Sequence, residues 1–222
     1  MAFCLVGSMA CAQETTKHTS YIANTSITER FMVLKSDKKQ REGEFTATFK
    51  NVTVAKGSYK QGNRAGSWSF SDAKGKLVQI YNYDINKFVL LDTPDTRGLK
   101  CFMENVQPTD LVKIPVKIGG SCYGLLPLVY RDELSQQVRA DYPGLLKAQY
   151  THIIIVDAQG NIISHKVTAL VNNSTKTYTL DDRLLDADIT RFTPATINGK
   201  PVVCRVTTVT YGSFSGAIER NY

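Results

Sequence analysis

The glycine-rich stretch "YKQGNRAGSWSF" (59–70) contains the residue types of a phosphate-binding loop. Gly62 and Gly66 lie four residues apart, with Arg64 between them and Ser67 after the second glycine. A P-loop needs Gly-x-x-x-x-Gly-Lys-Ser/Thr between a strand and a helix, because its backbone N–H groups and its lysine hold the phosphates. Here the glycines are one residue too close, no lysine follows, and the next residues alternate as in a strand. We therefore interpret the stretch as a turn between two strands.

The cysteine and histidine side chains form no motif with defined catalytic roles. Cys204 paired with His152 or His165 is the best candidate for nucleophilic catalysis, and an unrecognised hydrolase is kept as an alternative. No C-x-x-C pair is present, and the histidines lack the spacing of metal ligands. The sequence therefore predicts no enzyme activity, no metal and no cofactor.

The N-terminal segment predicts export from the cytoplasm. Residues 1–12 are apolar and uncharged and end in Ala10-Cys11-Ala12, which is the pattern of a signal peptide with its cleavage site. A lipoprotein with Cys11 lipidated ranks second, and the start codon could lie inside a longer signal. No stretch is apolar for the roughly 20 residues that cross a bilayer. The net charge of +7 comes from scattered cations without a nucleic-acid-binding motif.

Export bears on the cysteines, because disulfides form in oxidising compartments. Three cysteines remain after the predicted cleavage, namely Cys101, Cys122 and Cys204. An odd number permits one disulfide and one free thiol. The candidate disulfide joins Cys101 and Cys122, which are closest in sequence, and the pairing stays open.

The first half of the chain predicts a series of β-hairpins. Between Phe31 and Tyr83, short alternating runs are separated by glycine turns. The period of two places Trp68 on an apolar face as a core anchor. Gly62 is predicted in a turn, Gly66 within a strand at a bulge or a close backbone approach, and Arg64 on the exposed surface.

This half resembles the MORN-repeat-variant family of secreted bacterial proteins, over about a quarter of the chain. The resemblance implies an antiparallel ribbon of hairpins and no catalytic activity. The residues that match the repeat unit are Gly57, Tyr59, Gly62, Gly66, Trp68, Phe70, Asp72 and Gly75.

The second half predicts a small α/β domain. A helix is expected to end before Pro143, and a hairpin to join Ile153–Val156 to Ile162–Val171. A second, short helix is expected over Leu180–Thr190, followed by a long strand from Val202 to about Tyr211.

This order resembles the C-terminal domain of TonB-type energy transducers. The matching stretches are "YPG" (142–144), "IIIVDAQGNI" (153–162) and "RFTPATINGKPV" (191–202). That family binds an outer-membrane receptor segment by strand addition to a sheet edge, and the resemblance implies an edge within 202–210. A buried core strand there is weighed equally. The Pro-rich spacer and membrane anchor of a transducer are missing from the sequence.

The sequence thus predicts an α+β protein with a signal peptide (1–12), a MORN-like β-repeat domain (13–95) and a TonB-C-like domain with an antiparallel sheet and two helices (96–222). The predicted function is non-enzymatic binding of a protein or peptide in the periplasm or at the cell surface. The alternatives are a transducer component and a hydrolase, and the partner could be an outer-membrane protein or a second copy. The predicted edge consists of Val202, Val203, Arg205, Val206, Thr207 and Thr208.

Overall fold

A computed structural model describes residues 14–92, 98–144 and 147–213. The first of these ranges forms one sheet of seven antiparallel strands, in which each strand pairs with the next one along the chain. Its strands are β1 Thr15–Ile22, β2 Ile27–Leu34, β3 Arg41–Phe49, β4 Val52–Lys60, β5 Asn63–Ser71, β6 Leu77–Asn82 and β7 Lys87–Leu91.

The aromatic residues of β4 and β5 form the centre of the first core. Trp68 and Phe70 are completely buried, and Tyr59 is nearly so. The turn between β4 and β5 has positive φ at Gln61 and Gly62, which suits the tight connection between twisted strands. Alternation along β5 therefore places its large side chains on the face that packs inward.

Two glycines of these strands have different structural roles. The backbone of Gly57 lies against the indole ring of Trp68, so that a Cβ atom at this position would overlap the ring. Gly66 has a φ of +62°, and a Cβ atom there would meet nothing within 4 Å, so its requirement is conformational. The β4–β5 register shifts between Lys56 and Ser58, opposite Gly66, which places this glycine at a bulge.

The remainder of the chain forms two further antiparallel sheets. The larger sheet has five strands in the order β12-β11-β10-β15-β8, and the smaller has the order β14-β13-β9. The strands are β8 Lys100–Phe102, β9 Val112–Lys113, β10 Lys147–Val156, β11 Ile162–Val171, β12 Ser174–Thr179, β13 Ala195–Ile197, β14 Lys200–Val202 and β15 Cys204–Ser213.

One helix longer than two turns packs on the five-stranded sheet. This helix, α2 (Asp132–Asp141), is the one predicted before Pro143, and it buries Leu134 and Val138 against the sheet. It follows a π-helical turn over Gly120–Leu125 and a single turn, α1, over Leu126–Val129.

The predicted fold class is wrong, because the protein is mostly β and the described residues of its second part form one helix longer than two turns. Strands account for 53% of the structure and helices for 12%. The second helix expected over Leu180–Thr190 is only a 3₁₀ turn at Asp182–Leu184. Leu184 is exposed, whereas an amphipathic helix over this segment would be expected to bury its leucines. Asp182 and Asp188 instead form ion pairs with arginines outside this segment, which holds the chain in an irregular path.

The two parts of the chain share a core. Ile118, Cys122, Tyr123 and Leu126 pack among the buried aromatic residues of the seven-stranded sheet. The predicted boundary near residue 95, like the predicted signal peptide and Cys11, lies outside the described residues.

Candidate functional site

The two sides of β15 differ in how far they are paired. On one side β15 pairs with β10 along its whole length, from Cys204 to Ser213. On the other side β8 pairs only with Arg205, Val206 and Thr207. Within the part of the chain that the structure describes, residues 208–212 therefore have one edge without a strand partner.

A surface cleft of about 570 Å³ lies beside this edge, on the face of the sheet away from α2. Its floor consists of residues from β10 and β15, and β8 forms one wall. No carboxylate occurs among the described residues that line it. The side chains that the cleft presents are Lys100, Phe102, Thr151, Ile153, Arg205 and Val209.

The rim of the cleft combines apolar surface with positive charge. The guanidinium of Arg205 lies 4.7 Å from the ring centroid of Phe102, and Phe102 as a whole residue is 53% exposed. Val209 and Tyr211, on the same face of β15, are about half exposed. An exposed patch with apolar groups and cations is typical of a recognition surface.

The six residues of the predicted edge do not form one free edge. Arg205, Val206 and Thr207 lie between two strands, so an added strand cannot pair there without displacing β8. Val202 pairs with Ala195 in the small sheet. Val203 connects β14 to β15 and is exposed, and Thr208 is the first residue beyond β8. The predicted range 202–210 contains Val209 and omits Tyr211, and the six named residues omit both, because the length of β8 decides which residues remain unpaired.

The predicted disulfide between Cys101 and Cys122 is not formed. None of Cys101, Cys122 and Cys204 forms a disulfide with another described cysteine. Cys122 belongs to the core of the seven-stranded sheet, whereas Cys101 packs into a different core cluster with Cys204. Proximity in sequence therefore did not predict which cysteines lie close together, because the chain leaves β8 and crosses to the seven-stranded sheet before Cys122.

The hypothetical nucleophile pair of Cys204 with a histidine is not assembled. Cys204 lies opposite Val156 on β10, and His152 lies four residues further along this strand, or about 13 Å. His165 lies on β11. Strand β10 lies between β11 and β15, so these two strands are about 10 Å apart.

The two histidines instead belong to a buried hydrogen-bond chain. The rings of His152 and His165 approach each other at 3.1 Å, and Nε2 of His152 contacts the hydroxyl of Thr210 at 3.0 Å. Nδ1 of His165 contacts Oδ1 of Asp182 at 3.1 Å, and Arg131 donates to the same oxygen. A cavity of about 410 Å³ adjoins the His165 and Asp182 end. This hydrogen-bond chain fixes the side chains inside the sheet. It does not bring a histidine to Cys204, so it does not form the proposed nucleophile pair.

This histidine chain makes stability depend on pH. Burial, with a contribution from His165, lowers the pKa of His152 from 6.5 to about 3. Between these values the unfolded chain binds a proton that the folded chain excludes, so stability is complete above pH 6.5 and falls as the pH falls. We expect the free energy of unfolding to drop by about 1 kcal/mol from pH 6 to pH 5 through this residue.

Urea unfolding at several pH values measures this dependence. His152→Gln should make the free energy of unfolding depend less steeply on pH. His18→Gln, at an exposed position of β1, should leave this dependence unchanged. An equally steep slope in the His152→Gln protein would contradict the assignment.

Arg64 is buried, and the prediction that it is exposed is wrong. Its Nη1 donates to the hydroxyl of Tyr83 at 2.7 Å, and its guanidinium lies 4.4 Å from the ring centroid of Trp68. Its Nε lies 3.1 Å from Oδ2 of Asp188, an ion pair that lacks the alignment of a hydrogen bond. Nη2 also donates to Tyr123 at 3.3 Å. Arg64 thus joins the seven-stranded sheet to two later segments of the chain.

A second polar group extends this buried cluster. The hydroxyl of Tyr123 donates to Oε1 of the buried Glu29 at 2.7 Å, and Arg41 lies 3.5 Å from the other oxygen. Arg41 also donates to Tyr59 at 2.7 Å. These groups satisfy one another across the interface between the two parts, so they fix the orientation of the parts.

Lys117 is a third buried cation. Its ammonium group donates to the carbonyl oxygens of Ile118 and Arg191, at 2.9 and 3.0 Å. Burial, together with the charge of Arg64, lowers the pKa of Lys117 to about 7. The amine is enclosed and faces no described cleft, so we assign it a structural role.

The comparisons with known proteins identify no relative. No protein-family model, no curated protein and no solved structure matches the chain. Among the described residues, no cluster of three or more acidic, histidine or cysteine side chains could hold a metal ion. None of the helices in the described ranges is long and apolar enough to cross a membrane.

Proposed function

We propose that this protein is a non-enzymatic interaction module that binds an extended peptide segment by strand addition to residues 208–212 of β15. The observation that carries the proposal is that the pairing with β8 ends at Thr207, whereas β15 continues to Ser213. An unpaired strand edge presents N–H and C=O groups that a peptide can satisfy, which supplies affinity without a deep pocket.

The direction of the added strand follows from the sheet. A peptide antiparallel to β15 would run in the direction of β8, and it would meet β15 beyond Gly98, which lies beside Thr208. Its alternate side chains would point into the cleft beside Phe102 and Val209. These contacts would provide the sequence preference.

The charge of the cleft selects the partner's chemistry. Lys100 and Arg205 supply positive charge, and the whole chain carries a net charge of +7. An extended segment with an acidic residue beside apolar ones is therefore the partner of this proposal. Complementary charge mainly raises the association rate, so binding should weaken as salt is added.

The compartment is part of the same proposal. Export rests on the N-terminal residues 1–12, and a periplasmic or cell-surface location follows if they are a signal peptide. The partner would then be an envelope protein, such as an outer-membrane protein with an extended periplasmic segment.

A display library of random decapeptides tests the proposal. We expect selection of extended sequences that pair acidic with apolar residues. A selected peptide, added to the isotope-labelled protein, should shift the amide NMR signals of residues 208–212 when it binds. Signals that move elsewhere, or a failure to select any peptide, would refute the site.

Proline substitution tests the backbone pairing directly. Consecutive residues of a strand point their N–H groups to opposite sides, so one of Val209→Pro and Thr210→Pro removes a donor from the free edge only. The variant that keeps the wild-type unfolding temperature is the informative one. We expect it to bind the selected peptide at least about tenfold more weakly.

Charge reversal tests the cleft separately. Arg205→Glu should lower the affinity for the acidic peptide by about tenfold and reduce the salt dependence of binding. Lys60→Glu, at an exposed position of β4 in the other sheet, is the matched control and should leave the affinity unchanged within about twofold. Equal losses in both variants would indicate only a general effect of net charge.

A further inference from the structure

The thiols of Cys101 and Cys204 meet at the β8–β15 junction. Cys101 pairs with Val206 in the ladder, so Cys204, two residues earlier on β15, is its diagonal neighbour on the inner face. Both side chains belong to the same core cluster, which lies beneath the five-stranded sheet. Cys204 is buried, whereas Cys101 is partly exposed to solvent.

The surroundings give the two thiols unequal reactivity. The interaction with the neighbouring Cys204 thiol lowers the pKa of Cys101. The interaction with Cys101, together with burial, raises the pKa of Cys204. The partly exposed thiol therefore has the greater thiolate fraction, and the thiolate is the attacking species in disulfide exchange. The buried thiol is placed to attack a mixed disulfide formed on its neighbour.

We propose that Cys101 and Cys204 are a redox-active pair, which a thiol–disulfide oxidant converts into a bridge between β8 and β15. Cys101 loses its proton and attacks the oxidant disulfide, which forms a mixed disulfide and releases one thiol. Cys204 then attacks the Cys101 sulfur, which forms the bridge and releases the second thiol. The protein loses two thiol hydrogens, and one oxidant disulfide is reduced to two thiols.

The ladder predicts that this bridge is easily reduced. Diagonal neighbours in an antiparallel pair have Cα atoms about 7–8 Å apart, whereas bridged cysteines usually lie about 4.4–6.8 Å apart. Oxidation must therefore pull β8 toward Cys204. The shift is feasible because β8 holds β15 through only three paired residues. A strained bridge has a higher reduction potential than a relaxed one, which suits a reversible site better than a permanent staple.

The pair also adjoins the proposed peptide edge, but the inference does not depend on strand addition. The bridge is detected in the protein alone, whereas peptide binding is measured with the thiols reduced. The failure of one proposal therefore leaves the other standing.

Oxidised glutathione and tryptic mapping of the folded, full-length chain test the pair. We expect peptide 101–113 to be joined to peptide 192–205, and mild reductant to release them. Cys122 lies in peptide 118–131, and Cys4 and Cys11 lie in peptide 1–17, so other bridges have different masses. Free thiols at both positions, or a dominant bridge to another peptide, would overturn the proposal.

Two single variants assign the roles, and a third is the control. In Cys204→Ala a glutathione adduct should accumulate on Cys101, because the resolving thiol is missing. In Cys101→Ala the buried Cys204 should remain unmodified, and Cys122→Ala should form the bridge normally. Circular dichroism shows whether each variant is folded, and adducts on Cys204 in the folded Cys101→Ala protein would reverse the assignment.

Discussion

Replacement of Asp188 by alanine is expected to lower the free energy of unfolding by about 3–5 kcal/mol. The variant leaves Arg64, whose side chain is 1% exposed, without its carboxylate partner. An arginine cannot release its proton in a folded protein, so its charge must stay in the core or the core must open. Urea unfolding followed by the fluorescence of Trp68, the one tryptophan of the chain, reports directly on this cluster.

The size of this loss should not be taken as the stabilising value of the ion pair. Burial raises the pKa of Asp188, and the attraction of Arg64 opposes this shift without cancelling it. Desolvation thus offsets the attraction within the pair. The cost of Asp188→Ala comes mainly from leaving one charge buried and alone.

A double variant separates these two contributions. Arg64→Met with Asp188→Ala removes both charges, and it should be more stable than Asp188→Ala by more than about 1 kcal/mol. If loss of packing were the cause instead, removal of a second side chain would lower the stability further.

Asp186 offers a matched control for the same cluster. Its carboxylate lies 3.7 Å from Arg41, and the side chain is 39% exposed. Asp186→Ala should therefore cost no more than about 1 kcal/mol, as for other solvent-screened pairs. A loss as large as that of Asp188→Ala would show that burial does not set the cost.

The position of Arg64 shows what the sequence could and could not predict. Arg64 has the same parity as Trp68 and Phe70 along β5, so alternation alone places it on the apolar face. Its charge argued for exposure, because arginine is seldom buried without a partner. The partner, Asp188, lies 124 residues away along the chain, and no local pattern joins the two.

More of the histidine hydrogen-bond chain could be predicted from the sequence. His152 lies among alternating buried residues of β10, and His165 has the same relation to β11. The hairpin between these strands was predicted, so the two histidines could have been placed on one inner face. The link to Asp182 could not, because that segment was assigned to a helix that does not form.

The candidate site depends on still longer-range information. The β-branched composition of β15 predicts a strand and does not say which part lacks a neighbour. That part is set by β8, a strand of three residues that no period of two can reveal. Edges of sheets are therefore properties of the topology, and a single sequence constrains them weakly.

The second large effect is expected at Trp68, where truncation to alanine should cost about 3–5 kcal/mol. The indole is completely buried, and its Nε1 donates to the carbonyl of Ser58 at 3.1 Å. Its ring lies 4.9 Å from that of Phe45 and 5.2 Å from that of Tyr59, measured between centroids. Unfolding must be followed by circular dichroism, because the variant has no tryptophan.

Gly57 gives this prediction a sharper form. Gly57→Ala places a methyl group where the indole lies, so the variant should lose about 1–3 kcal/mol or more through overpacking. Gly66→Ala is the control, because it meets only the cost of a positive φ, about 1–2 kcal/mol.

The decisive comparison is Gly57→Ala in the Trp68→Ala background. The added methyl then enters the space that the indole vacates, so it should cost less than it does in the wild-type protein. Equal costs in the two backgrounds would mean that Gly57 is required for its backbone conformation. A reduced cost would mean that the glycine of this strand is required by the tryptophan of the next one. The spacing of Gly57 and Trp68 in the sequence would then result from one packing contact between the two strands of a hairpin.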